Sequence, residues 1–244
     1  MNYAAFLFDI DGTLIVSGGA GQYAMGEVAD AQTSPQDWKS TISFSGRTDR
    51  SIISDFFRLY GIEESDEAIG GFIDNYLGKL EQHLNERTGK VLPGVTQTLD
   101  CLMDQESALL GLLTGNIRRA AKLKLTRYEL TKYFYEDGVT TGGFGDLHPE
   151  RDDVARAALA EAKDKWGDRV AAEHTWVIGD TPNDVKCARA IGAKVVAVAT
   201  GRYSLEELAA TEPDFAVSDL AQADAWWDHL AEVYGINAPA SLTD

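Results

Sequence analysis

From residue 108 onward, the chain alternates short apolar runs with longer segments whose apolar residues recur at helical spacing. The runs predict buried strands at 108–113, 175–178, 194–199 and 215–217, with a further short strand within 138–146. The segments between them predict helices at 117–130, 152–166, 182–191 and 205–210, and a last helix at 220–234. Repeated alternation of this kind is typical of an α/β fold with a doubly wound parallel sheet. Residues 236–244 are predicted to be a loose tail.

An earlier apolar run predicts the first buried strand, and it ends in two aspartates, Asp9 and Asp11, followed by Gly12 and Thr13. Gly12 lets the chain turn sharply where the strand stops. Open α/β sheets bind ligands at the carboxyl ends of their strands. Two carboxylates that meet there repel each other unless a cation lies between them or one of them holds a proton. The pair therefore predicts a metal ion, a proton-transfer role, or both.

The stretch between this strand and the later alternation is helical and polar, without an obvious buried strand. Apolar residues at helical spacing predict amphipathic helices at 51–60 and 69–83, which suit a small bundle. Because these helices interrupt a pattern that begins with a strand, we interpret residues 17–90 as an inserted helical domain. The core domain then comprises residues 1–16 and 91–244.

The net charge of the chain limits the kinds of molecule that it is expected to bind. The chain has 22 Lys and Arg residues against 39 Asp and Glu residues, a formal net charge of −17. This excess of negative charge disfavours nucleic acid and anionic membranes, and no apolar run approaches the roughly 20 residues of a membrane span. The two cysteines, Cys101 and Cys187, are too few for a zinc site or a disulfide framework. We expect a cytoplasmic protein, either a monomer or a small homo-oligomer, and any anionic substrate needs a local positive group or a metal.

Two later strands also end in polar residues. Thr114-Gly115-Asn116 follows the strand at 108–113, and Gly179-Asp180-Thr181-Pro182-Asn183-Asp184 follows the strand at 175–178. An acidic residue after a strand can simply cap the next helix. Three polar clusters on one edge of a parallel sheet favour a functional site instead.

These three clusters resemble the first, second and fourth motifs of the haloacid dehalogenase-like hydrolase superfamily, in that order and over nearly the whole chain. The helical insert resembles the cap of its phosphoglycolate phosphatase and β-phosphoglucomutase branch. The third motif departs from the family pattern, which places a lysine before or at the start of a helix. The matching stretch, residues 145–152, contains no lysine, and Arg151 is the best substitute because arginine stays charged and can bind two phosphoryl oxygens.

The resemblance implies a role for each aspartate. Asp9 is expected to attack phosphorus and form an aspartyl-phosphate. Asp11 is expected to act as a general acid toward the leaving oxygen and then as a general base toward water. Mg²⁺ is the implied cofactor, bound by Asp9, the backbone carbonyl of Asp11 and Asp180.

Further residues are expected to bind the substrate or support the loops. Thr114 and the backbone N–H groups of Gly115 and Asn116 would hold phosphoryl oxygens, and Arg151 would neutralise the transferring group. Asp184 would orient Arg151 or a water on the metal, and the Thr13 hydroxyl would stabilise its loop. Arg47, in the insert, would contact the distal part of the substrate. 

The function implied is a Mg²⁺-dependent phosphatase that acts on a small phosphorylated metabolite. The aspartate at position 11 favours cleavage of a P–O bond, since a halide leaving group needs no proton. A sugar phosphomutase is the first alternative, because it uses the same nucleophile and returns the phosphoryl group to the substrate. A non-enzymatic phospho-receiver or regulatory module is the alternative from another class.

Overall fold

A computed structural model describes residues 3–32 and 34–239. Its central sheet has six parallel strands in the order β10-β9-β8-β1-β4-β7. The strands of this sheet are β1 (Ala4–Phe8), β4 (Ala108–Leu113), β7 (Gly142–Gly143), β8 (Thr175–Gly179), β9 (Lys194–Val198) and β10 (Phe215–Val217). β1 lies between β8 and β4 and is buried along its whole length. The predicted fold class, a doubly wound parallel α/β sheet, is confirmed.

Helices cover both faces of the sheet. They are α5 (Val95–Met103), α6 (Arg118–Arg127), α7 (Thr131–Phe134), α8 (Arg151–Trp166), α9 (Pro182–Ala190), α10 (Leu205–Ala209) and α11 (Asp224–Tyr234). One apolar cluster joins α5, α7 and α11 to one face, where Trp226 packs edge-on against Phe6 and Trp176. A second cluster joins α8, α9 and α10 to the opposite face. Burial on both faces explains why the strands are continuous apolar runs instead of alternating ones.

Within residues 17–90, the described part of the chain forms four helices, α1 (Ala20–Asp30), α2 (Trp38–Thr41), α3 (Asp49–Tyr60) and α4 (Asp66–Glu86). They share an apolar cluster that is separate from those of the sheet and also includes Ile117 and Ala120, and α1 packs against α4 within it. Two short antiparallel strands, β2 (Ile15–Val16) and β3 (Lys90–Val91), pair where the chain leaves and re-enters the sheet region. The helices and their separate cluster are consistent with the interpretation of residues 17–90 as an inserted domain, which stays a prediction.

Several predicted boundaries differ from the structure. The last helix begins only at Asp224, because the Asp219 side chain caps a separate 3₁₀ turn at Leu220–Gln222. The helix predicted at 117–130 ends at Arg127, where Glu129 adopts a left-handed conformation with φ 60°. The expected strand within 138–146 is divided between β6 (Val139–Thr140), which pairs with β5 (Tyr135–Glu136), and β7.

The predicted tail is only partly described. Ile236 is fully buried in the core, so the prediction of a loose tail was wrong there, and residues 240–244 lie outside the described part of the chain. Both cysteines are free, with Cys187 buried and Cys101 partly exposed. Within the described ranges, no helix has both the length and the hydrophobicity to cross a bilayer.

Candidate active site

The candidate site lies at the carboxyl edge of the sheet, where the loops after β4, β1 and β8 emerge from adjacent strands. The loop after β1 carries Asp9 and Asp11, and Gly12 turns the chain with φ 84°. Hydrogen bonds from the backbone N–H groups of Leu14 and Ile15 to the carbonyl of Ile10 close this turn. The three polar clusters therefore meet at one edge, as the sequence predicts.

Asp9 is buried at the end of β1, and its Oδ1 accepts a hydrogen bond of 2.7 Å from the backbone N–H of Ile10. Burial raises the pKa of Asp9 from 3.8 to about 6. Arg151 and a hydrogen bond from Thr114 oppose this rise, and the negative charge of Asp184 adds to it. The carboxyl group of Asp9 is thus shielded from bulk water and lies beside a buried cation.

Arg151 is the first residue of α8, and its side chain reaches the site. Its Nη2 lies 3.0 Å from Oδ2 of Asp9 and also binds Oδ1 of Asp184. Burial favours the neutral form of Arg151, but the charges of Asp184 and Asp9 raise its pKa well above the usual value. Asp184 is itself held in a capping box at the start of α9, accepting hydrogen bonds from the Thr181 backbone N–H and hydroxyl at 3.0 and 2.7 Å.

Three buried carboxylates, those of Asp9, Asp180 and Asp184, each offer an oxygen within 4.8 Å of the other two. Burial, together with the charges of Asp184 and Asp9, raises the pKa of Asp180 well above its ordinary value. The Thr13 hydroxyl donates to Oδ1 of Asp180 at 3.3 Å. A Cβ added at Gly12 or at Gly201 would overlap the Asp180 carboxylate. The absence of a side chain at these two positions therefore leaves space for this carboxylate.

A set of closely spaced carboxylate oxygens in a buried pocket fits a hard divalent cation, because the cation removes the repulsion that otherwise keeps protons on the acids. Asp9 and Asp180, two of the predicted metal ligands, belong to this set, and the Asp11 side chain does not. Metal binding by these residues, including the backbone carbonyl of Asp11, stays a prediction.

The loop after β4 forms another wall of the site. The hydroxyl of Thr114, which is fully buried, accepts hydrogen bonds from the backbone and side-chain nitrogens of Asn116 at 3.3 and 2.8 Å. Gly115 lies against the backbone of Arg47 and Thr48 so closely that an added Cβ would overlap the Arg47 carbonyl. The carbonyl of Gly115 accepts a 2.7 Å hydrogen bond from the N–H of Asp49. This contact connects the helical insert directly to the second motif.

Arg47 lies beside the loop after β4, but its guanidinium is bound within the insert. It donates to Asp55 Oδ2 at 2.6 Å and to the carbonyls of Ser43 and Ser51 at 3.1 and 3.3 Å. A contact between Arg47 and a substrate therefore stays a prediction, and it requires these bonds to be shared or exchanged.

The sequence analysis missed Lys124, on α6. Its ammonium lies 2.5 Å from Oδ2 of Asp11 and 2.5 Å from Oδ1 of Asn116, and its side chain is only 5% exposed. One signal could have revealed it, because Lys124 shares the buried face of α6 with Ala120, Ala121 and Leu125. A lysine on an apolar helical face is unlikely to be only a solvated charge.

The role of Asp49 in the site was also missed. It begins α3 in the insert, is buried, and accepts a 2.9 Å hydrogen bond from the N–H of Ile117. Burial raises its pKa to about 7, against the opposing effect of Lys124. The carboxyl group meets the loop after β4 through a tertiary contact that the apolar pattern of α3 does not reveal.

A cavity of about 720 Å³ lies between the insert and the strand ends. The core contributes Asp9, Asp11, Lys124, Arg151 and Asp180 to its lining, and the insert contributes aromatic and basic side chains that include Tyr23, Trp38, Lys39 and Phe44. A cavity of this size holds a small ligand together with water.

Comparisons with known proteins point to one family. A family model described as haloacid dehalogenase-like hydrolase matches residues 6–198. A phosphoglycolate phosphatase of Rhodospirillum rubrum is 25% identical over 236 residues, covering 91% of this chain and 90% of that protein. A protein named probable phosphatase IndB, from Dickeya dadantii, is 24% identical over 219 residues, covering 88% of this chain and 90% of that protein.

Solved structures share the fold. The crystal structure of CbbY from Rhodobacter sphaeroides in complex with phosphate has a TM-score of 0.69 at 18% identity, covering 91% of this chain and 96% of that one. A hydrolase from Pseudomonas syringae has a TM-score of 0.67 at 22% identity, covering 94% of this chain and 98% of that one.

Proposed function

This chain belongs to the haloacid dehalogenase-like hydrolases, and we propose that it is a Mg²⁺-dependent phosphatase that hydrolyses a small phosphomonoester through an aspartyl-phosphate. One observation carries the proposal: a buried Asp9 lies beside a buried arginine and two residues before Asp11, whose side chain is 41% exposed and lines the cavity. The names of the two phosphatase relatives support the choice of reaction.

In the first step, a carboxylate oxygen of Asp9 attacks the substrate phosphorus. A P–O bond to Asp9 forms, the bond to the leaving oxygen breaks, and Asp11 gives that oxygen a proton. Arg151, 3.0 Å from Asp9, neutralises negative charge on the phosphoryl oxygens as they pass through the transition state. Thr114 and the N–H groups of Gly115 and Asn116 hold those oxygens in place.

In the second step, water attacks the phosphorus of the aspartyl-phosphate. Asp11, now deprotonated, takes a proton from this water, the P–O bond to Asp9 breaks, and inorganic phosphate leaves. The same carboxyl group thus serves as the acid and then as the base, and Asp9 returns to its starting state.

Asp9, Asp180 and the backbone carbonyl of Asp11 would hold the Mg²⁺ ion. When bound, it offsets the repulsion between these carboxylates and the phosphate. Asp184 contributes a third nearby carboxylate but is already bound to Arg151 and Thr181, so we assign it the orientation of Arg151. The Thr13 hydroxyl helps to hold the Asp180 carboxylate in place by donating a hydrogen bond to it.

We assign the choice of substrate to residues 17–90, as a cap over a core of residues 1–16 and 91–244. Two features support this division: residues 17–90 supply most of an apolar cluster that is separate from those of the sheet, and they line part of the cavity that contains the catalytic aspartates. A cap of this kind excludes bulk water from the phosphoryl group during the reaction.

The test is a screen for inorganic phosphate release from a set of metabolite phosphomonoesters, with Mg²⁺ and with a chelator. The account predicts release that requires Mg²⁺ and is abolished by Asp9→Asn. Formation of an isomeric sugar phosphate without net phosphate release would favour a phosphomutase instead. If no phosphomonoester is turned over under any metal condition, the proposed function is wrong.

A further inference from the structure

A buried lysine, Lys124, contacts the proposed acid–base residue Asp11, and the reaction scheme above does not use it. We propose that Lys124 is a positioning residue: it fixes one oxygen of Asp11 so that the other oxygen faces the leaving group. This inference depends on the proposed function, because it assigns a role toward the same reaction.

The two carboxylate oxygens of Asp11 have different hydrogen-bond partners. Oδ2 accepts hydrogen bonds from Lys124 Nζ at 2.5 Å and from Asn116 Nδ2 at 2.8 Å, which satisfies both of its lone pairs. Lys124 also donates to Asn116 Oδ1 at 2.5 Å, so the three side chains form a closed ring of hydrogen bonds. No residue in the described part of the chain hydrogen-bonds Oδ1 of Asp11, which leaves this oxygen for proton exchange.

Lys124 has little freedom to move away. A Cβ added at Gly21 of α1 would lie 3.5 Å from its Nζ, so α1 of the insert lies close against the ammonium. Asp49, also from the insert, lies close enough for Lys124 to lower its pKa. The ammonium is therefore held between the core and the insert, directly beside the proposed acid.

A purely structural ion pair explains this arrangement poorly. Asp11 is 41% exposed and could be hydrated without a partner, whereas Lys124 is almost fully desolvated to reach it. Burying a charge is unfavourable, and buried ion pairs can often be replaced by apolar residues without loss of stability. A role of the hydrogen-bonded ring in orienting Asp11 during catalysis accounts for the unfavourable burial of the Lys124 ammonium.

The role of Lys124 can be tested by changing the leaving group, because Asp11 is needed as an acid only when the leaving group is basic. An alkoxide must receive the Asp11 proton as its P–O bond breaks, whereas p-nitrophenolate departs without one. Lys124 keeps its own protons throughout. Loss of Lys124 should therefore slow the first step for an alkyl phosphate and spare that step for p-nitrophenyl phosphate.

The experiment compares Lys124→Met with Lys122→Met, an exposed position on the same helix. For an alkyl phosphomonoester that the wild type hydrolyses, we expect Lys124→Met to reduce kcat by roughly 10- to 100-fold with little change in KM. The pre-steady-state burst of p-nitrophenolate should stay within about 3-fold of wild type, because the leaving group needs no acid. Lys122→Met should match the wild type on both substrates.

Equal losses on the two substrates, or no loss on either, would overturn the inference. Circular dichroism and thermal unfolding establish whether Lys124→Met folds, and Lys124→Gln takes its place if it does not. Loss of the fold in both variants would also overturn the inference, since it would make Lys124 a structural residue. An inactive wild type would instead refute the proposed function, which distinguishes the two failures.

Discussion

Nη2 of Arg151 lies 3.0 Å from Oδ2 of Asp9, and the same nitrogen binds the carboxylate of Asp184. The arginine at the start of α8 thus occupies the position from which it can neutralise both the proposed nucleophile and a phosphoryl group bound to it. Asp184, fixed by its own capping box, determines where the guanidinium lies.

Arg151→Ala should lower kcat by roughly 10²- to 10³-fold, the effect of removing one preorganised group that stabilises transition-state charge. It should also lower the melting temperature, because Asp9 and Asp184 lose their buried cation. Arg156→Ala, on the exposed face of the same helix, is the matched control and should leave turnover unchanged. Steady-state kinetics test this directly, and wild-type turnover in Arg151→Ala would remove the arginine from the mechanism.

Gly201→Ala should weaken metal binding, because the new Cβ would overlap the Asp180 carboxylate and displace it. We expect the Mg²⁺ concentration for half-maximal binding, measured by calorimetry, to rise at least about 10-fold. Gly70→Ala on α4, where an added Cβ meets no atom within 4 Å, is the control. Unchanged Mg²⁺ affinity in Gly201→Ala would argue against Asp180 as a ligand.

The strand positions could be predicted because strands buried on both faces are continuous apolar runs. The ends of helices were less predictable, since the spacing of apolar residues does not reveal capping residues or left-handed positions such as Glu129. α4 begins at Asp66, after a Ser65 cap, and ends at Glu86, beyond the predicted apolar stripe at both ends.

The residues of the site also fall into those that the sequence predicts and those that it does not. Asp9, Asp11, Asp180 and Arg151 belong to motifs that are contiguous in the sequence, so their meeting at one edge follows from strand order. Lys124 and Asp49 join the site only through tertiary packing. The sequence of α6 places Lys124 on the same face as Ala120, Ala121 and Leu125, but it does not show that this face brings the lysine to Asp11.

Asp49 should make stability depend on pH. Its pKa is raised by burial from 3.8 to about 7 in the folded chain, so the folded state binds its proton more tightly than the unfolded state. The resulting stabilisation is fully present below pH 3.8 and is lost as the pH rises through about 7. Asparagine can accept the same hydrogen bond without ionising.

We therefore expect the stability of Asp49→Asn, relative to that of the wild type, to rise by about 2 to 3 kcal/mol between pH 5 and pH 8. Denaturant unfolding of both proteins at the two pH values measures this difference. A stability difference that does not change with pH would contradict a titrating Asp49.

The central claim is that Asp9 carries the phosphoryl group. Asp11→Asn should still be phosphorylated by p-nitrophenyl phosphate, whose leaving group needs no acid, but the aspartyl-phosphate should accumulate because no base activates water. Rapid mixing, acid quenching and peptide mass analysis locate the added group. The account predicts one phosphoryl group on the peptide that contains Asp9, and none in Asp9→Asn. A wild-type enzyme that releases phosphate while Asp11→Asn never carries a phosphoryl group on Asp9 would contradict it.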